Sequence, residues 1–259
     1  MTDRTRRLVI IAMPWLAMAF FLVVWELVCI VFDLPEIILP RPTKVFVVFV
    51  QRFDILMSFC WDTLWTTVLG FLIAIAGGVM LGILIGASPL IYSGLYPLLI
   101  AFNAVPKVAI VPILMIWVGV GSLPAVITAF VISFFPIVVN VATGLATLEP
   151  ELEDVLRALG ASRVEILRKV GLPRSLPFFF ASLKVAITLA FVGTVISEIS
   201  AANAGIGYLM MSASSSLKTP LMFAGVIVIS IMAMAMYEFF AFIEKRSTGW
   251  AHRGQQSQA

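Results

Sequence analysis

Six long apolar segments restrict what this chain can fold into. They run over residues 8–32, 64–87, 90–120, 124–147, 177–199 and 221–243. A helix needs about 20 consecutive apolar residues to cross the hydrocarbon core of a bilayer, and each segment is long enough. Only 12% of the residues are charged and the mean hydropathy is +1.09, whereas roughly a quarter of the residues in soluble domains are charged. The sequence predicts an all-α integral membrane protein with six transmembrane helices.

Two of these segments need separate interpretation. The first follows three arginines and resembles a signal peptide, but its apolar run exceeds the roughly 7–15 residues of a signal core and no small-residue cleavage pattern follows. We interpret it as a retained helix. The third is longer than one straight crossing and contains Pro97, Pro106 and Pro112, so we expect kinks there.

The basic residues are distributed unequally between the two sides of the membrane. With six crossings, both termini and the loops at 88–93 and 148–176 share one side. That side has eleven Lys and Arg residues, and the other side has four: Arg41, Lys44, Arg52 and Lys218. Because Lys and Arg accumulate in cytoplasmic loops, we predict that both termini and the 148–176 loop are cytoplasmic.

Several kinds of chemistry are excluded by the residues present. The single histidine, His252, lies in the polar tail, so no buried Ser-His or Cys-His pair can form. Cys29 and Cys60 make no metal motif, and unpaired apolar packing is favoured over a disulfide between them. No G-x-x-x-x-G-K-[ST] phosphate loop occurs, so the chain cannot hydrolyse ATP by that route.

Two apolar stretches predict packing rather than chemistry. PTKVFVVFVQRFDILMSF, residues 42–59, interleaves apolar and charged residues, which favours a helix along the outer membrane surface. In the second crossing Gly78, Gly82 and Gly86 share one helix face and allow close approach of another helix. We expect that helix to belong to the same subunit.

A charged hairpin interrupts the apolar sequence at residues 150–173. Pro150 suits the first turn of a helix, and Gly160 suits a left-handed cap at its end. The apolar residues fall at i, i+3, i+4 and i+7, the stripe of an amphipathic helix: Leu152, Val155, Leu156 and Leu159.

A second short helix completes the hairpin. Ser162 and Glu165 form a capping box at its start, and Pro173 is expected to end it. Its own apolar stripe is formed by Val164, Leu167 and Val170. A solvated linker would not need an apolar stripe on both helices, so the hairpin predicts a docking surface.

The hairpin resembles the cytoplasmic loop of type I ABC importer permeases. That loop reads Glu-Ala-Ala, three residues, Gly, nine residues, Ile, one residue, Leu-Pro. Here Asp154, Val155 and Leu156 stand at the Glu-Ala-Ala positions, followed by Gly160, and the later positions hold Val170 and Leu172-Pro173. Across residues 38–246, segments such as ILPRPTKV, FFPIVVN and ISEISAANAGIGYLM resemble importers of the sulfonate, taurine and nitrate group.

The resemblance implies a complete assembly around this chain. It implies a homodimeric permease in a bacterial inner membrane, two separate ATP-binding subunits that bind ATP and Mg²⁺, and a soluble binding protein at the outer face. No cofactor in this chain and no nucleic-acid partner are expected. The domains would be 1–57, an N-terminal helix and outer segment; 58–245, the importer transmembrane domain; and 246–259, a cytoplasmic tail.

The resemblance also assigns the residues that contact the ATP-binding subunits. In the coupling loop these are Asp154, Val155, Leu156, Arg157, Leu159, Gly160, Ala161 and Ser162. Alternating access driven by ATP would then be transmitted through the loop. A channel or a secondary transporter is the alternative function, and dependence of transport on a co-purifying ATPase separates the two.

Candidate path residues follow from the high cost of ionisable groups inside a bilayer. Lys107 either faces the cavity or pairs with a carboxylate such as Glu198. Glu198 is either a gate or a helix-end contact. Asn140 is expected to form an interhelical hydrogen bond in preference to binding a ligand, and Lys184 is expected to extend towards the cytoplasm.

Overall fold

The computed structural model describes residues 3–147 and 150–248, and it contains no β-strand within those residues. The helices, numbered in chain order, are α1 (Asp3–Val31), α2 (Pro42–Gln51), α3 (Phe53–Gly86), α4 (Pro89–Ala104), α5 (Val111–Val118), α6 (Ser122–Ala146), α7 (Pro150–Ala158), α8 (Arg163–Ile166), α9 (Leu172–Ala201), α10 (Ile206–Ser215) and α11 (Thr219–Ser247). Residues 249–259, most of the predicted tail and His252 with it, lie outside the described range.

Within residues 3–147 and 150–248, five helices are long and apolar enough to cross a membrane. They occupy 12–31, 53–86, 122–146, 164–201 and 219–247. A sixth candidate is the pair formed by α4 and the segment Lys107–Val118, which are bent by 73° at a short break. The all-helical membrane fold predicted from the sequence is confirmed, and the proline-rich third segment is more strongly bent than an ordinary kinked crossing.

Helices α3, α6 and α9 pack together to form the core. Their buried side chains include Phe71, Ile137, Leu183, Ile187 and Phe191. The glycine face of α3 lies against α6, and this contact confirms the predicted packing within one subunit. An added Cβ at Gly82 would lie 2.7 Å from Cβ of Val141, a distance that real side chains do not tolerate, so the two helices approach closely only because this residue is glycine.

Residues 42–59 do not form one continuous surface helix. Helix α2 ends at Gln51, Arg52 leaves the helical conformation with φ −112° and ψ 21°, and α3 begins at Phe53. The second half of the stretch therefore belongs to a membrane-spanning helix that starts eleven residues before the predicted Leu64. The sequence prediction was wrong here because charges at Arg52 and Asp54 masked the start of the span.

Pro173 does not end the second helix of the hairpin. Residues 167–171 form a π-helical turn, in which the Leu172 amide donates to the carbonyl of Leu167, and α9 continues from it. The wider turn changes the hydrogen-bond register just before the proline, and Pro173 then occupies the first turn of α9, where an amide donor is not required. One helix consequently runs from Val164 to Ala201.

In contrast to the sequence prediction, Lys184 does not extend into solvent. Its ammonium forms a hydrogen-bonded ion pair with Glu244 on α11, and the two side chains are only 20% and 13% exposed. The ammonium also lies 5.9 Å from the ring centroid of Tyr237. A charged group this far from water is stabilised by a partner of opposite charge, and the pair joins α9 to α11.

Both cysteines are free, as predicted. Cys29 is buried, with its sulfur near the carbonyls of Leu39 and Pro40. The Cys60 sulfur lies 3.1 Å from the sulfur of Met232. Both thiols therefore serve as small packing groups.

Candidate coupling loop and path residues

Helix α7 ends in a left-handed glycine cap. Gly160 has φ +88°, a conformation that costs residues with a Cβ roughly 1–2 kcal/mol. Its amide donates to the carbonyl of Arg157, and the Ala161 amide donates to the carbonyl of Leu156. This pair of bonds is the Schellman motif, and it satisfies the carbonyls at the end of α7 without help from other parts of the chain.

The next helix begins with the predicted capping box. The Ser162 amide and hydroxyl donate to one carboxylate oxygen of Glu165, at 3.0 and 2.9 Å, and the Glu165 amide donates to the Ser162 hydroxyl. Both helix ends at the corner of the hairpin are therefore satisfied by local bonds. The corner is fixed by residues 156–165 alone.

The hairpin exposes apolar side chains. Val155, Leu159 and Val164 are 57%, 80% and 71% exposed. Leu156 and Val170 are partly buried and line, with Gly160 and Lys169, an open cavity of about 360 Å³ at the corner. An exposed apolar cluster around a depression on an otherwise charged loop is typical of a protein interaction site.

Arg157 and Asp154 lie beside this apolar cluster. A guanidinium nitrogen of Arg157 is 3.9 Å from a carboxylate oxygen of Asp154, and both side chains are largely exposed. Contacts of this kind between solvated groups contribute little to stability. The two charged side chains therefore border the exposed apolar surface.

Lys107 lies in a short 3₁₀ turn at the bend between α4 and α5. Its ammonium donates to the backbone carbonyl and to the side-chain oxygen of Asn103, both at 2.8 Å. It also lies 5.3 Å from the ring centroid of Phe135 on α6. The ion pair with Glu198, one of the two alternatives for this lysine, is not formed between these described residues.

Glu198 is 2% exposed and closes a hydrogen-bond network at the far end of α9. Its carboxylate accepts bonds from the Thr63 hydroxyl and the Gly207 amide, both at 2.9 Å. Thr63 in turn accepts a bond from the Ile206 amide at 2.8 Å. This arrangement, called here the Glu198 network, ties the start of α10 to α3 and α9, and it favours the helix-end contact over the gate.

Asn140 makes a bond within its own helix. Its amide nitrogen donates to the carbonyl of Pro136 at 2.8 Å. The expected interhelical bond is therefore replaced by a local one.

Thr63 was missed by reasoning from the sequence. It is 135 residues from Glu198 along the chain, and threonine inside an apolar segment ordinarily bonds its own helix backbone. Thr66 and Thr67, the next threonines along α3, do bond that helix's backbone. Nothing in the local sequence marks Thr63 as different.

The structure combines a bundle of membrane-length helices with an outlying two-helix loop. Residues 78–249 match the family described as "Binding-protein-dependent transport system inner membrane component". The chain belongs to this family. It is a permease of the ABC importer type, a transport subunit that is not itself catalytic.

Similar proteins agree with this assignment. A putative ABC transporter permease protein of Methanocaldococcus jannaschii is 31% identical over 95% of this chain and 93% of its own length. A putative aliphatic sulfonates transport permease protein of Bacillus subtilis is 25% identical over 90% of this chain and 85% of its own. The second relative confirms the resemblance to the sulfonate group.

The fold is shared with a solved structure. In the inward-facing MetNI methionine ABC transporter, one chain superposes with a TM-score of 0.66 at 19% identity, covering 74% of this chain and 96% of that chain. This likeness confirms the arrangement of helices.

Proposed function

We propose that the hairpin formed by α7 and the start of the α8–α9 helix docks on a separate ATP-binding subunit. That subunit binds ATP and Mg²⁺, and this chain supplies no cofactor site. The permease forms a homodimer in a bacterial inner membrane with both termini cytoplasmic, and a soluble binding protein delivers substrate at the opposite face. The family and the excess of basic residues around the hairpin support this arrangement.

The observation that carries the proposal is the exposure of apolar residues on a locally fixed corner. The Schellman motif and the capping box hold the corner in one conformation, and Val155, Leu159 and Val164 stay in water at a cost. Burying them in a groove of another protein removes that cost, and a preformed corner loses little conformational entropy when it docks.

The path through the dimer is proposed to pass near Lys107. The bend between α4 and α5 opens the third crossing at this residue, and its ammonium is held by Asn103 alone among polar groups of the described chain. A cation held by neutral groups keeps its charge available to a polar or anionic substrate. Glu198, enclosed by its network, is proposed to support the path structurally.

Docking is tested by comparing two leucines. Leu159→Ala removes an exposed side chain at the corner, so it should leave the stability of the isolated subunit nearly unchanged. Truncating a buried interface anchor costs about 2 kcal/mol or more, so retention of the ATP-binding subunit during purification should fall at least tenfold. Leu123→Ala, an exposed leucine at the opposite end of α6, is the matched control.

Retention and ATP-driven uptake into vesicles are measured for both variants. If Leu159→Ala retains the ATP-binding subunit and transports like the parent protein, the hairpin is not the docking element. If Leu123→Ala reduces retention of the ATP-binding subunit as much as Leu159→Ala does, the loss reflects general damage to the assembly. The hairpin is then not the docking element either.

A further inference from the structure

A cavity with two cationic side chains lies between the α2–α3 corner and the α10–α11 corner. Its volume is about 450 Å³. Arg52 and Lys218 contribute the charges, Gln51, Ser212 and Ser216 contribute neutral polar groups, and Val48, Ile55 and Leu221 are among the apolar residues beneath them. None of the described residues that line it is acidic. The coupling hairpin is not involved.

No described carboxylate compensates the positive charge in this cavity. Neither Arg52 nor Lys218 forms an ion pair with a described residue, whereas nearby Lys44 is paired with Glu36 at 3.4 Å. Asp54, in the first turn of α3, is exposed and does not line the cavity. An anion that enters here meets two cations without displacing a carboxylate.

Both cations stand where a membrane-spanning helix begins. Arg52 directly precedes α3 and Lys218 directly precedes α11, and neither helix start is capped by a side chain. The amino-terminal ends of helices carry a partial positive charge, which adds to that of the two side chains. Because both spans begin here, the cavity lies at a boundary between membrane and water.

A second, apolar cavity lies on another flank of α2. Its volume is about 260 Å³, and it is lined by Leu22, Trp25, Phe46, Phe49, Ile227 and Ile231 among others. Ile227 and Ile231 follow Leu221 along α11 by six and ten residues, which at about 1.5 Å per residue places them roughly 9–15 Å deeper in the span. The first cavity thus places cations at the membrane boundary, and the second offers apolar space deeper along α11. This combination suits a molecule that has a charged head and an apolar tail.

We propose that the Arg52–Lys218 cavity binds the phosphate group of an anionic phospholipid. Arginine offers paired donors to phosphate oxygens and lysine adds a mobile charge. The exposed apolar residues of α2, Phe46, Val47 and Val50, are positioned to contact the lipid's acyl chains. This site does not depend on where the ATP-binding subunit docks.

The apolar surroundings favour a lipid over an acidic side chain of a soluble partner. A protein carboxylate would pair with the two cations but would leave the apolar lining and the neighbouring apolar cavity unused. A free inorganic anion would likewise use only the charges. A phospholipid uses both.

The test uses the assembled transporter in nanodiscs of phosphatidylglycerol mixed with phosphatidylcholine. Phosphatidylglycerol that stays bound after extraction is counted by native mass spectrometry. Each basic residue near a membrane surface contributes about fivefold to the affinity for anionic lipid. Arg52→Gln and Lys218→Gln should therefore each reduce retention about fivefold, and the double variant about twenty-fivefold.

Lys44→Gln is the control, because it removes the same charge from α2 at an ion pair outside the cavity. Its retention should match that of the parent, and a loss as large as that of Arg52→Gln or Lys218→Gln alone would show that only net charge matters and overturn the site. Unchanged retention in the double variant would overturn it too.

Two further arms separate the lipid from other anions. If inorganic phosphate displaces phosphatidylglycerol as readily as added phosphatidylglycerol does, the cavity takes free anions and the lipid assignment is wrong. The double variant is also assayed in nanodiscs of phosphatidylcholine alone, where stimulation of ATP hydrolysis by the binding protein is measured. The lipid assignment is wrong if this variant retains phosphatidylglycerol in the mixed nanodiscs but loses that stimulation. Loss of lipid with stimulation intact supports the proposal.

Discussion

Two corners of this protein contain glycines that share a positive φ but have opposite surroundings. Gly160 has φ +88° and Gly205 has φ +90°. A Cβ added to Gly160 would meet nothing within 4 Å, whereas one added to Gly205 would lie 2.2 Å from the carboxylate carbon of Glu198. The first corner needs glycine for its backbone alone, and the second needs it for the backbone and for space.

The difference follows from how each corner is completed. The Gly160 corner is closed by bonds between residues at most five positions apart, and its apolar side chains remain exposed. The Gly205 corner is closed by the Glu198 network, which joins α3, α9 and α10. A locally completed corner leaves its surface free for another protein, whereas a corner completed by distant residues is a structural joint of its own subunit.

The largest effect is expected from Gly205→Ala. The new methyl group overlaps the Glu198 carboxylate, and alanine must also adopt φ +90° and ψ 163°, a conformation that is essentially restricted to glycine, so the folded state should lose about 2–5 kcal/mol. The midpoint of thermal unfolding of the detergent-solubilised protein measures this loss. Gly160→Ala is the matched control, and equal losses in the two variants would contradict the distinction between the corners.

Thr63→Ala should have an intermediate effect. It removes the donor to Glu198 and the acceptor for the Ile206 amide, and leaving these buried groups unpaired costs about 1–3 kcal/mol. Thr63→Ser keeps the hydroxyl and should recover most of the stability in the same thermal measurement. If serine is no better than alanine, the methyl group and not the hydrogen bonds explains the role of Thr63.

The smallest change in subunit stability is expected at Gly160. Gly160→Ala adds only the backbone cost of about 1 kcal/mol, and Gly160→Asn adds less because asparagine tolerates this conformation. The isolated subunit should unfold nearly as the parent does, while retention of the ATP-binding subunit falls about fivefold for alanine and less for asparagine. A loss of thermal stability as large as that of Gly205→Ala would show that the corner is not independent of the core.

The two corners also differ in how far the sequence predicts them. The glycine cap, the capping box and the apolar stripes of the hairpin are local patterns, and the bonds at Gly160, Ser162 and Glu165 follow them. The spans are predicted too, because long apolar runs have few alternatives. Whether the hairpin contacts an ATP-binding subunit stays a prediction.

Contacts between distant residues could not be predicted. The Glu198 network depends on residues up to 143 positions apart, and the Lys184–Glu244 pair on residues 60 apart. A single sequence shows that a carboxylate or a lysine lies in an apolar segment, but the partner depends on how the helices rotate and pack. The continuation of the helix past Pro173 was missed for a related reason, since proline usually ends a helix and the π turn before it leaves no sequence signal.

That continuous helix connects the hairpin to the Glu198 network. From Val164 to Ala201 it has 38 residues, about 55 Å at 1.5 Å per residue, with the capping box next to one end and Glu198 near the other. A tilt of roughly 5° pivoting at one end moves the other by about 5 Å over that length. If the hairpin docks as proposed, its movement is passed along this single helix through the π turn at residues 167–171, and the joint at Gly205 lies near the far end of that helix.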